Sequence, residues 1–285
     1  MESKICGVVI LYNPTIDIYN NMVSYYDQVD IIIAVDNSDI VNKELVERIK
    51  SLDNIVYIFN NGNLGIAKAL NLAADYAIAK GFRFILTMDQ DTPLPRDSVK
   101  KLMSRFDDFS QVGIISPHHN NIIIPQPVED SNVHESLEVM MCGNIVNLEA
   151  YNKVGKFEEK LYIDYVDHDF CLRLNLGGYK VIQDNSISLM HKLGNRKIKK
   201  FLFMQFCPSN HEAIRLYYRT RNRFFVYKKF WKNFPLHVLR DIMFMIRQFL
   251  SVILLEEDKI RKVRMMWLGV YDFLNNNYGK FQRQH

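Results

Sequence analysis

The 285-residue chain is poor in cysteine, and its four, Cys6, Cys142, Cys171 and Cys207, are too far apart to make a metal-type pair. That spacing argues against a disulfide scaffold and fits a reducing cytosolic setting. With 12 glycines and 8 prolines there is no collagen-like or low-complexity signature. Internal repeats are absent, and the only compositionally biased segment is a loop rich in Asn and Pro from Pro117 to Val128. No leader peptide is expected, because Met1-Glu2-Ser3-Lys4 runs directly into a strand-like segment. Nor is a membrane span expected: the most apolar tail segment, Ile242 to Leu255, is interrupted by Arg247 and Gln248 and falls short of roughly 18–20 residues. Neither a G-x-G-x-x-G nor a Walker sequence occurs, which argues against a dehydrogenase or a P-loop enzyme.

Charge is present but unevenly distributed. Up to His191 the chain has 16 basic and 26 acidic residues; from Lys192 onward it has 20 basic and 6 acidic. A basic tail of this size suits nucleic acid, an anionic membrane surface or a phosphorylated substrate, and charge alone does not choose among them. In Arg215 to Phe234, apolar and aromatic residues recur at helical spacing, with Arg219, Arg221, Arg223, Lys228, Lys229 and Lys232 supplying charge, so amphipathic helices are expected.

The first half reads as α/β. GVVIL (Gly7 to Leu11), IIIAV (Ile31 to Val35), IVYIF (Ile55 to Phe59) and FILTM (Phe84 to Met88) are short, largely β-branched runs suited to strands buried on both faces. Ile66 to Lys80 carries a helical stripe, with Gly81 past its end. Further strands are expected at Val112 to Ser116 and Val139 to Leu148. An open, mostly parallel sheet holds ligands at the carboxyl ends of its strands. Those ends are Tyr12-Asn13-Pro14, Asp36-Asn37-Ser38, Asn60 to Gly65, and Asp89-Gln90-Asp91.

Each stretch carries its own chemistry. Both Asp89 and Asp91 would be desolvated inside a covered strand, so they are expected beyond it, in a turn that can aim two carboxylates at one hard divalent cation. Pro93 and Pro95 stop the sheet, and Asp97 is a candidate cap for a helix from Ser98. The glycine-containing loop before Ile66 sets a helix N-terminus at the same edge, where backbone N–H groups attract an anion. In LYIDYVDHDFCLR (Leu161 to Arg173), a helix over Val166 to Leu176 would pair Asp169 with Arg173. It would leave Asp167 near the helix start, ionised as a general base must be. His191 ends a later apolar run, either as a core residue or as a metal ligand.

In order and spacing, VVILYNP, VDNSD, NNGNLGIAKALN, TMDQD, MCGNIVN, FEEKLYIDYVDHDFCLRL and RLYYRTRN resemble family 2 glycosyltransferases, and within them the bacterial rhamnosyltransferases of O-antigen and cell-wall polysaccharides. The resemblance covers nearly the whole chain. It implies a GT-A fold: a Rossmann-like, mixed, mostly parallel sheet flanked by helices over residues 1–200, followed by an amphipathic helical region over 201–285. It implies that Asp36 binds the nucleotide base beside Tyr12 and Asn13, and that Asn63 and Gly65 line the nucleotide and diphosphate site. Asp91 would hold Mg²⁺ or Mn²⁺, Asp89 would face the sugar, ribose or metal, and His191 would add a metal ligand. Asp167 would be the catalytic base of an inverting transfer. The family's usual Glu-Asp pair is Val166-Asp167 here, which leaves Asp164 as the fallback.

The implied donor is dTDP-rhamnose; a UDP-linked hexose, galactofuranose or N-acetylhexosamine is the alternative, and a catalytically silent sugar-nucleotide binder the third reading. The implied acceptor is a saccharide, commonly lipid-linked, with the enzyme cytoplasmic and peripheral at the inner face of the cell membrane. The basic tail would then meet anionic lipid, with nucleic acid disfavoured because the acidic half has no role in that reading. The oligomeric state stays open.

Overall fold

The computed structural model describes residues 4–121, 132–191, 199–201, 204–206 and 210–282. Cys207 and residues 122–128 of the expected loop lie outside them, while Pro117 to Asn121, the first part of that expected loop, is strand. The β-branched runs form strands at the expected places. In chain order, β1 (Ile5–Leu11), α1 (Ile18–Tyr26), β2 (Ile31–Asp36), α2 (Lys43–Lys50), β3 (Ile55–Phe59), α3 (Ile66–Ala79), β4 (Phe84–Asp89) and α4 (Ser98–Asp108) alternate. After them come β5 (Val112–Asn121), β6 (Val133–Glu135), β7 (Asn144–Asn147), α5 (Leu148–Val154), α6 (Val166–Leu176) and β8 (Lys180–His191).

One mixed sheet results, in the order β3-β2-β1-β4-β7-β5-β8-β6. Its first four strands are mutually parallel, in a register that sets Leu11 opposite Asp36 and Ile10 opposite Asp89. β7 runs antiparallel to β4 and β5, and β6 antiparallel to β8. Helices cover both faces of the parallel block, so Val8, Val9, Ile32, Ile33 and Leu86 are all fully buried. This explains why these runs are continuously apolar instead of alternating.

Three local expectations are corrected. Of Val139 to Leu148 only Asn144–Asn147 is strand: Gly143 takes a left-handed φ of 73°, and its N–H is bound to the Thr87 carbonyl at 2.6 Å. Asp97 precedes α4 with a left-handed φ of 59° and makes no side-chain cap; the Gln28 side chain instead accepts from the Val99 N–H at 3.2 Å. Asp89 lies not beyond β4 but at its last position, where it is exposed because the strand has reached the sheet edge.

A buried amide ties the helices together. The Oδ1 of Asn71, on α3, accepts from the Tyr151 hydroxyl at 2.9 Å and from the Phe157 N–H at 3.0 Å. Its Nδ2 donates to the Phe157 carbonyl and the Glu159 carboxylate, both at 3.0 Å. The Phe157 ring packs 4.5 Å from that of Phe170 on α6, so one side chain braces three elements.

Contacts divide the chain into two compact units. Among the described residues, the sheet unit comprises residues 4–120, 132–159 and 166–191; the second comprises residue 121, residues 160–165 and those beyond 191. The second unit contains the short hairpin β9 (Lys199–Phe201) and β10 (Met204–Phe206), then α7 (Ala213–Phe230), α8 (Pro235–Leu255) and α9 (Lys259–Leu274). α7 and α9 approach so closely that a Cβ on Gly269 would fall 2.6 Å from the Tyr217 carbonyl oxygen.

Of the residues that supply charge to α7, Arg221 and Arg223 are both buried. Arg221 donates to the carbonyls of Gly279 at 2.8 Å and Lys160 at 3.3 Å. Arg223 meets Asp241 at 3.0 Å and also donates to the Tyr165 hydroxyl. Asn222 Nδ2 bonds the carbonyls of Leu161, Ile163 and Asp164 at 2.6, 2.7 and 3.0 Å.

Replacing Asn71 by Ala leaves several buried groups unpaired. The expected cost is about 2–3 kcal/mol, read as a lower denaturation midpoint at unchanged slope.

Candidate active site

Because β3, β2, β1 and β4 are parallel, their polar turns all emerge at one edge of the sheet. Hydrogen bonds then join these turns. After β1, the Tyr12 N–H donates to Gln90 Oε1 at 2.9 Å, and Gln90 Nε2 donates back to the Tyr12 carbonyl at 3.2 Å. Asn13 turns with a left-handed φ of 46°, and its N–H donates to Ser38 Oγ at 2.7 Å. The Ser38 N–H in turn donates to Asp36 Oδ1 at 2.8 Å. Asn37 Nδ2 reaches the Gly65 carbonyl at 3.2 Å, which brings the start of α3 into the same network.

Asp36 is fully buried, so its carboxylate must be satisfied internally. Oδ2 accepts from the Tyr57 hydroxyl at 2.6 Å, and burial together with that bond pushes the phenol pKa up. In the loop before α3, Asn63 Oδ1 accepts from the Gly65 N–H at 2.9 Å. Gly65 itself has φ 89°, a conformation that favours glycine. Beyond Gly65 the 14-residue helix α3 begins with no acidic residue in its first turn, so no carboxylate of that turn offsets the positive end of its dipole.

Asp89 and Asp91 are both exposed, on either side of half-buried Gln90. The Asp89 N–H donates to the sulfur of buried Cys142 at 3.4 Å, and the Thr92 hydroxyl donates to Asp91 Oδ1 at 3.3 Å. Burial, and next the nearby Asp89 charge, pushes the Cys142 thiol pKa up, so it supports the turn as a neutral group. Two exposed carboxylates two residues apart are a hard-oxygen donor set that fits Mg²⁺ or Mn²⁺. Among the described residues no third His, Cys, Asp or Glu completes a cluster with them. His191 closes β8, but its side chain lies outside the described part of the structure.

Asp167 comes from a different element, the first turn of α6, and is half-buried. Its Oδ1 accepts from the His168 N–H at 3.0 Å. The expected pair between Asp169 and Arg173 is present at 2.7 Å, with the carboxylate fully buried. Arg173 also donates to the Val154 and Gly155 carbonyls at 2.9 and 2.6 Å, which pins α6 to the end of α5. Asp164 belongs to the second unit, where Arg215 grips it at two points, each 3.2 Å.

The structure thus links Tyr12, Asn13, Asp36, Gly65 and the Asp89–Asp91 turn, while Asp167 is supplied by α6. Sequence reasoning passed over Ser38, Tyr57, Gln90 and the pair between His168 and Glu138. Ser38 and Gln90 stand inside the quoted motifs, so their position was a signal, but the direction of a side chain is not written in spacing.

Comparison with known proteins agrees with this geometry. Residues 13–171 match the model of glycosyl transferase family 2. The dTDP-rhamnosyl transferase RfbF of Shigella flexneri is 27% identical over 297 residues, a match covering 95% of this chain and 96% of that protein. Among solved structures, GalNAc-T7 with UDP, GalNAc and Mn²⁺ superposes with a TM-score of 0.57 at 12% identity. That match covers 66% of this chain and 43% of GalNAc-T7, and at such identity it speaks for the fold alone. By its matched model, its sheet and its strand-end site, the chain belongs to glycosyl transferase family 2.

Proposed function

We propose that the protein is an inverting, metal-dependent rhamnosyltransferase that moves L-rhamnose from dTDP-rhamnose to a saccharide acceptor in bacterial cell-surface polysaccharide synthesis. The observation that carries this reading is the hydrogen-bonded edge running from buried Asp36 to the two exposed carboxylates Asp89 and Asp91. The choice of donor is supported by the likeness to RfbF along nearly the whole chain.

In this reading the turns at Tyr12-Asn13 and Asp36 receive the nucleoside, and Asn63, Gly65 and the start of α3 receive the diphosphate through backbone N–H groups. Asp91, with Asp89 and with His191 as a further candidate, would hold Mg²⁺ or Mn²⁺. A bound cation of this kind offsets charge on a departing diphosphate. Asp167 accepts the proton of the acceptor hydroxyl as that oxygen attacks the anomeric carbon from the face opposite the leaving group, so configuration inverts.

The second unit supports a lipid-linked acceptor. No helix among the described residues is long and apolar enough to cross a membrane. Yet α8 has only two buried side chains, Val238 and Val252. Leu236, Leu239, Met243, Ile246, Leu250 and Ile253 follow one another every three or four residues, and all are exposed, from 38% at Ile253 to 81% at Leu236. Exposed Arg240 and Arg247 flank this stripe, and the only acidic residue of α8, Asp241, is engaged by Arg223. An apolar stripe bordered by arginines suits a helix lying in the interface of an anionic bilayer.

Asp167→Asn is expected to bind dTDP-rhamnose normally while transferring sugar about a hundred to ten thousand times more slowly; a wild-type rate would remove Asp167 from the mechanism. Asp91→Asn should abolish the response of donor binding to Mn²⁺ in calorimetric titrations. If Mn²⁺ tightens donor binding equally in this variant, the metal lies elsewhere. Flotation with vesicles containing anionic lipid should carry the protein upward at low salt and less at high salt. Replacing Leu239 and Ile246 by Ser should reduce that binding at both salt concentrations, and equal flotation of this variant would overturn the role given to α8.

A further inference from the structure

We propose that Gln90 is a positioning residue that makes the nucleoside turn and the metal turn one cooperative unit. This rests on the reading of the site given above. Gln90 stands between the two exposed carboxylates, yet its side chain points back across the sheet edge to the end of β1. There it bonds the backbone of Tyr12 twice, accepting the N–H at 2.9 Å and donating to the carbonyl at 3.2 Å. The register places Ile10 opposite Asp89, so the amide continues the ladder beyond the last paired residues, with a side chain in place of a strand.

Gln90 is held from the other side as well. Its carbonyl accepts from Asn21 Nδ2, on α1, at 3.0 Å. From Tyr12 the connection continues through the Asn13 N–H to Ser38 and from the Ser38 N–H to Asp36. A cation that orders Asp89 and Asp91 therefore also orders Gln90, and with it the turn that would receive the nucleoside. Ordering one turn lowers the entropic cost of ordering the other, which is positive coupling without any direct contact between the two ligands. Only an amide serves here. Glutamate keeps the acceptor, loses the donor, and puts a third negative charge between two carboxylates.

The probe must exclude direct contact between metal and ligand, so it is thymidine, which has no phosphate, titrated by NMR in the absence and presence of saturating Mg²⁺. In the wild-type chain Mg²⁺ should tighten thymidine binding by about fivefold, the lower end of ordinary allosteric coupling. In Gln90→Ala the factor should fall to about one. Gln90→Glu should behave like Gln90→Ala, although it is nearly isosteric. Thermal melts of both variants should match wild type, since Gln90 lies outside the core.

Two results would overturn the proposal: no effect of Mg²⁺ on thymidine binding in the wild type, or an undiminished effect in Gln90→Ala. Parallel titrations with dTDP separate its failure from that of the functional reading. If dTDP binds in a Mg²⁺-dependent manner while thymidine shows no coupling, the role of Gln90 falls and the site stands. Should dTDP not bind at all, both fall.

Discussion

Strands that run the same way must all end at the same edge, and the hydrogen-bond ladder of β3, β2, β1 and β4 imposes this on four successive chain segments. Each segment leaves the ladder with backbone groups that have lost their strand partner, and in water-poor surroundings those groups must find another. Here they find each other's turns. The Asn13 N–H uses Ser38, the Tyr12 N–H and carbonyl use Gln90, and the Gly65 carbonyl uses the side-chain amide of Asn37. The parallel ladder thus produces a crowded polar edge before any ligand is considered, and the same crowding makes the edge able to hold one.

The burial of Asp36 shows how far this goes. A carboxylate with no exposed surface is costly unless each oxygen is bound, and here one oxygen takes a backbone N–H and the other a tyrosine hydroxyl. The exposed pair at Asp89 and Asp91 is the electrostatic opposite, carrying its charge at the surface where a hard cation can replace water. One edge therefore presents an internally satisfied acid and an acid pair open to solvent, separated by neutral turns.

Much of this was legible in the sequence because it follows from short-range rules. β-branched runs, a helical stripe and turn residues located the parallel block, α3 and α6 to within a few residues. The ion pair of Asp169 with Arg173 followed from helix geometry alone. What was not legible depended on partners distant in sequence. Arg221 and Arg223 have the composition of a cationic face, but buried carbonyls, Asp241 and a tyrosine hydroxyl take them inside. Gln90 and Asn71 look like ordinary polar residues until the fold brings Tyr12 and Phe157 to them. Spacing reveals which face a side chain shares, whereas hydrogen bonding across eighty residues does not alter local pattern.

The segment from Lys160 to Tyr165 is likewise held by partners distant in sequence. Tyr162, Asp164 and Tyr165 all take left-handed φ values, 63°, 60° and 66°, that side chains other than glycine adopt reluctantly. Strain of this sort persists only where the surroundings over-determine it, and the surroundings here are Asn222 and Arg221, which together bond four of the segment's carbonyls. Neither party is independently replaceable. A homologue that lost the amide at 222 would have to relax the segment, and one that relaxed the segment would leave a buried amide without acceptors. Over evolutionary time these two stretches, some sixty residues apart, are expected to drift as one, and paired substitutions across homologues should record it.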